Sequence, residues 1–180
     1  MSDSSAAAER ALVERALRGD AEAYGQLVRL HQGAVFSVCY RMMHDRAEAE
    51  DAAQEAFLRA HSRLRTFDLA RPFGPWMRRV AANLCLNRLE SRKAEAPLDE
   101  ERDRATTGDP ETAHAQAEQS AAVRAAIAGL PPHYRAVVEL RHFQELSYDE
   151  IAVELRLPLS DVKSHLFRAR KLLAERLREP

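Results

Sequence analysis

Lys163, Ser164, Phe167, Arg168 and Lys171 place two ammonium groups, a hydroxyl, an aromatic ring and a guanidinium within nine positions. Such a set suits nucleic acid: Lys163 holds phosphate, while Ser164 and Arg168 can reach either phosphate or a base edge. Between Val162 and Arg178 there are six Lys+Arg and one Glu, a local +5 in a chain of net charge −1. Each phosphate neutralised there releases counterions, so attraction would weaken with salt. A second set comprises Phe67, Arg71, Phe73, Trp76, Arg79, Asn83 and Asn87. Between Arg65 and Lys93, seven Lys+Arg face only Asp68 and Glu90, again a local +5. Rings interleaved with cations suit single-stranded DNA, whose bases stack or seat beside rings while cations hold the backbone. The same rings suit a hydrophobic core, and the pattern leaves both open for Phe67, Phe73 and Trp76. A third set, Glu48, Asp51, Gln54 and Glu55, makes an acidic stripe.

The elements that position these residues are helical. Ala49, Ala52, Ala53, Ala56, Phe57, Ala60 and Leu64 recur at three- and four-residue steps, one buried face with the acidic stripe opposite. Asp45 is placed to cap that helix, and Asp20 to cap a run to about Met43, with a break expected near Gly33. A short amphipathic helix over 8–18 precedes it, closed by Gly19. The stretch "RTFDLARPFGPW" reads as a loop, after which a helix from about Pro75 to Arg92 aligns Trp76, Arg79, Asn83 and Asn87 on one face. Periodicity vanishes over "APLDEERDRATTGDP", an acidic linker, and resumes from about Glu111 to Ala128. Three short helices are expected at about 132–143, 148–156 and 161–178. Ser147 and Glu150 fit a capping box, Pro158 ends the first helix of the final pair, and Ser160 suits the cap of the second. Val162, Leu166, Ala169, Leu173 and Leu177 form that helix's inner stripe, leaving the cations for a DNA groove in a helix-turn-helix arrangement.

The expectation is therefore an all-α chain: helical domains at 1–95 and 111–180, joined by a flexible acidic linker at 96–110. At 180 residues, 46% hydrophobic and 31% charged, it is long enough for two small globular units. No apolar run approaches the roughly 20 residues of a membrane span, and the N-terminus lacks a secretory pattern. Cys39 and Cys85, in no paired motif, fit buried thiols in a reducing cytoplasm. Seven scattered histidines form no metal motif, and neither a phosphate loop nor a nucleophile elbow occurs, so no metal, cofactor or catalytic residue is expected.

"LPPHYRAVVELRHFQELSYDEIAVELRLPLSDVKSHLFRARKLL" resembles region 4 of the extracytoplasmic-function (ECF) group of bacterial sigma factors. The chain has Ser160, Asp161 and His165 where that pattern usually has Gly, Thr and Arg. "RAEAEDAAQEAFLRAH" is similar to the family's region 2.2, and "FDLARPFGPWMRRVAANLCLNRLESRK" to regions 2.3 and 2.4, in the family's order. The resemblance implies that Glu48, Asp51, Gln54 and Glu55 dock on core RNA polymerase. It implies that the set from Phe67 to Asn87 opens and reads the −10 promoter strand, the loop 67–73 capturing a flipped base. It assigns Lys163, Ser164, Phe167, Arg168 and Lys171 to the −35 duplex. It further implies a linker threading the polymerase channel, control by an anti-sigma factor, and no enzymatic activity. A stand-alone helix-turn-helix regulator is the competing reading, but it would need neither the aromatic set nor the acidic stripe.

Overall fold

The structure is a computed structural model that describes residues 3–95 and 116–178. Eight α-helices occur there, with no strand among the described residues: α1 Asp3–Leu17, α2 Ala21–Met43, α3 Arg46–Arg63, α4 Phe73–Glu95, α5 Gln116–Ala128, α6 Pro132–Val138, α7 Tyr148–Leu155 and α8 Leu159–Arg176. The expected linker at 96–110 and the expected helix start at Glu111 lie outside the described residues.

α1 to α4 form a bundle around Leu27, Val35, Val38, Met42, Met77 and Leu84, all essentially buried. Gly19, at φ 92°, makes the left-handed turn after α1 that a residue with a Cβ resists. Asp20 then caps α2 by accepting from the Ala23 amide at 3.0 Å, and Asp45 caps α3 by accepting from Glu48 at 2.9 Å. α2 continues unbroken through Gly33, contrary to the expected interruption. A helical glycine costs only about 1 kcal/mol, and burial of Val35, Val38, Cys39 and Met42 just beyond it outweighs that. The alanine face of α3 is buried as its spacing predicts, and its small side chains let α3 lie close to α2 and α4. α4 starts at Phe73, earlier than expected, with Pro75 inside its first turn.

In the second half, α7 and α8 make the helix-turn-helix. The capping box forms in full: the Ser147 amide donates to Glu150 at 2.9 Å, and the Glu150 amide donates to Ser147 Oγ at 3.3 Å. Arg156 closes α7 in the left-handed region at φ 53°. Ser160 does not cap α8. The helix already begins at Leu159 after Pro158, so Ser160 lies in the first turn and its hydroxyl meets Asp161 instead. Val162, Leu166 and Ala169 are buried as expected, whereas Leu177 is 47% exposed because α8 runs past the core. Between α6 and α7 the helix widens into a π-helical turn, Glu139–Phe143.

The two halves pack together. Ala136, Val137, Leu140, Ile151, Val162 and Leu166 belong to the same contiguous apolar cluster as the α1–α4 core. Arg41 of α2 makes two 2.8 Å bonds to the buried carboxylate of Glu139. Arg135 is itself buried, and its guanidinium donates to the carbonyls of Met42, Ala128 and Leu130. Met42 lies in the last turn of α2, where unpaired carbonyls and the negative dipole end favour a cation.

Candidate functional site

The acidic stripe divides on α3. Asp51 and Gln54 are exposed. Glu48 and Glu55 are half-buried and already engaged: Arg92 reaches Glu48 at 2.7 Å, Arg59 reaches Glu55 at 2.6 Å, and Arg88 donates to Glu55 through both Nε and a terminal nitrogen. The Arg88 hydrogen bond keeps the Glu55 carboxyl below its ordinary range, against a smaller opposing effect of burial. These arginines were not singled out by the stripe's spacing. Among the described residues, the carboxylate of the four without an ion-pair partner is that of Asp51, beside the exposed amide of Gln54 and the 72% exposed Leu58.

The aromatic set is a packed unit. Phe67 and Phe73 are 8% and 1% exposed. Their rings lie 5.7 Å apart, and Trp76 sits 4.9 Å from Phe67 and 5.4 Å from Phe73. Phe67 and Phe73 therefore do not project as base-stacking platforms; they form the floor under the half-buried Trp76. Burying their apolar area against each other, Trp76 of α4 and His31 of α2 is worth more than leaving two rings in water. Arg71 is exposed, 3.6 Å from Asp68. Asn87 is exposed and lines an open pocket with Arg59, Leu84, Arg88, Ser91 and Arg92. Arg79 and Asn83 occupy the intended face of α4 but meet α7. Asn83 Nδ2 donates to the Glu154 carboxylate at 2.5 Å, and Arg79 lies 3.5 Å from the other carboxylate oxygen.

The third set faces solvent. Lys163, Phe167, Arg168 and Lys171 are exposed and Ser164 is half-buried, all along the outer side of α8. Arg168 donates to the Tyr134 hydroxyl at 3.4 Å, a long bond that aligns the guanidinium without consuming it. His165 turns inward, its ring 5.2 Å from Tyr134 and 5.8 Å from His133. Burial, reinforced by nearby His133, depresses its protonation, so His165 adds no standing positive charge to the face.

A helix-turn-helix with a cationic outer face, packed on an all-helical bundle, is an architecture suited to binding DNA. The sequence profile "Sigma-70 region 2" matches residues 27–95, and "Sigma-70, region 4" matches residues 120–173. The ECF RNA polymerase sigma factor SigW of Bacillus subtilis is 34% identical over 93% of this chain and 95% of its own length. The RNA polymerase sigma-H factor of Pseudomonas aeruginosa is 35% identical over 94% of this chain and 93% of its own. Among solved structures, CnrH in complex with the cytosolic domain of CnrY superposes with a TM-score of 0.63 at 26% identity, over 94% of this chain and 97% of that one. The sigma factor RpoE of Bartonella quintana, in complex with the anti-sigma factor NepR, shares the fold at 19% identity with a TM-score of 0.66, over 87% of this chain and 97% of that one. The chain belongs to the ECF group of sigma-70 family sigma factors.

Proposed function

We propose that this sigma factor binds core RNA polymerase through Asp51 and Gln54 at the centre of the α3 stripe, with Glu48 and Glu55 at its edges. Residues 1–95 supply docking and −10 strand recognition, through Arg71, Trp76, Arg79, Asn83 and Asn87 over the Phe67–Phe73 floor. Residues 111–180 supply −35 duplex recognition through α8. The stretch 96–110, with Asp99, Glu100, Glu101, Asp103 and Asp109, carries the charge of a nucleic acid into the polymerase channel. No helix among the described residues is long and apolar enough to cross a membrane, and the work falls in the cytoplasm, where the promoters are. The chain lends recognition and strand opening to the polymerase and does no covalent chemistry of its own. An anti-sigma factor is the fitting regulator, since the RpoE fold it shares is seen with one.

The observation that carries this reading is the pairing of matched regions 2 and 4 in one chain whose Asp51 and α8 cations are open to partners. Charge complementarity of this kind fixes partner and register. Run-off transcription with core polymerase on a genomic fragment library tests it. Wild type should yield discrete transcripts, and Arg168→Ala should yield weaker ones. Absence of any transcript with purified wild type would remove the assignment.

A further inference from the structure

Arg79 and Asn83 are the two residues of α4 best equipped to hold a single strand, and a carboxylate already holds them both. Glu154 accepts from the Asn83 side-chain amide at 2.5 Å and stands 3.5 Å from Arg79 Nε, leaving the Arg79 side chain 13% exposed. The Glu154 main-chain carbonyl faces the same amide at 3.5 Å. A carboxylate offers the guanidinium and amide what a phosphate or base edge would offer: oxygen acceptors, one bearing charge. Glu150 of α7 is also held in its ionised form, chiefly by the Ser147 amide and hydroxyl, with smaller help from the Arg79 and Arg71 charges.

Other pairs, outside α7, hold the second half against α2 and α4. Arg78 donates to Gln144, Glu139 receives Arg41, and His133 stands 3.0 Å from Glu90. Among the described residues nothing comparable covers the −35 surface: Phe167 is 71% exposed and Lys171 is 70% exposed. One reading surface is shut by the domain that carries the other.

We propose that α7 is a built-in occupant of the single-strand site, with Glu154 standing in for DNA on Arg79 and Asn83 until the halves separate. In the closed chain α8 can still meet a duplex, whereas α4 cannot take a single strand. A partner that binds only the separated form shifts the population toward it by its difference in affinity for the two forms. The polymerase is such a partner if its docking requires separation, and free sigma factor is then kept from trapping single strands. This inference rests on the proposed role of Arg79 and Asn83 in strand binding.

The test uses the full chain and fluorescein-labelled single-stranded DNA 12-mers of random sequence, with affinity read by anisotropy. Glu154→Ala should bind at least about fivefold more tightly than wild type, the lower end of ordinary coupling between sites. Asp149→Ala, an equal loss of charge on α7 away from the contact, should change little. Arg41→Ala should also bind more tightly, because it leaves the buried Glu139 carboxylate with only the Gln144 amide, without its counter-charge across the halves, and favours their separation. It removes a cation, so simple attraction to DNA would move it the other way. If neither Glu154→Ala nor Arg41→Ala gains affinity while Asn83→Ala weakens wild type, the strand-binding role stands and the internal occupant is refuted. If Asn83→Ala has no effect even when combined with Glu154→Ala, the strand-binding role itself fails and the inference falls with it.

Discussion

Asp51 and Glu55 sit one turn apart on α3, yet they present different things to a partner. Glu55 is shared by Arg88 and Arg59, so a cation from elsewhere must displace groups that are already well placed. Asp51 is exposed, and among the described residues no ion pair or side-chain hydrogen bond holds it. An electrostatic dock draws its specificity from the charge that is free to be met, and like charge at that point repels strongly. Asp51→Arg should therefore abolish co-purification with core RNA polymerase and leave the thermal unfolding midpoint within a degree or two. Glu55→Gln should do the reverse: retained co-purification, with a stability loss of about 1 kcal/mol or less, as expected for a largely surface network. Affinity pull-down paired with a circular-dichroism melt separates the two outcomes. Equal co-purification of wild type and Asp51→Arg would shift the docking surface away from α3.

The elements themselves were largely legible from residue spacing. The alanine face of α3, both aspartate caps and the Ser147–Glu150 box follow from local rules, which need no knowledge of what lies across the fold. Legibility ended where partners come from afar: Asn83 and Glu154 are 71 positions apart, and Arg41 and Glu139 are 98 apart. The rings of Phe67 and Phe73 were ambiguous for the same reason, since composition cannot say which side of a ring will be covered. The α2–α6 junction is a case invisible to periodicity. His44 ends α2 at φ 57°, with its Nε2 buried and unpartnered, near Arg135. Burial, helped by the Arg135 charge, pushes the His44 pKa down to about 4 from 6.5. The unfolded chain then takes up the proton first as pH falls, so the native state loses stability progressively from about pH 6.5 to about 4. His44→Asn keeps a residue that tolerates the left-handed region and removes the titration. Urea midpoints measured across that window should fall less steeply for the variant than for wild type; parallel slopes would mean that His44 does not control the junction.

At the scale of the whole molecule, the question is whether two family regions behave as two bodies or one. Their shared apolar cluster and the Arg41–Glu139 pair join them, but Arg135 is the residue that belongs to both. It leaves α6 and spans from the end of α2 to the α5–α6 turn, satisfying Met42, Ala128 and Leu130 with one guanidinium. Burial brings its pKa down to about 10, still high enough to keep it charged at neutral pH. No carboxylate pairs with it among these contacts; three carbonyls and the dipole end of α2 do the work of a counter-ion. Arg135→Met preserves length and apolar stem but leaves those carbonyls without their donor, at about 1–3 kcal/mol for each that stays buried. The Met42 carbonyl can recover water only if α6 moves off α2, so the loss favours separation of the halves over collapse of either bundle. Wild type should accordingly melt in one calorimetric transition. Arg135→Met should melt in two, with the lower one belonging to residues 116–178, as amide exchange protection lost there before α1–α4 would report. A single transition merely shifted downward would show instead that the halves stay fused without the arginine, and that their coupling lies in the apolar cluster.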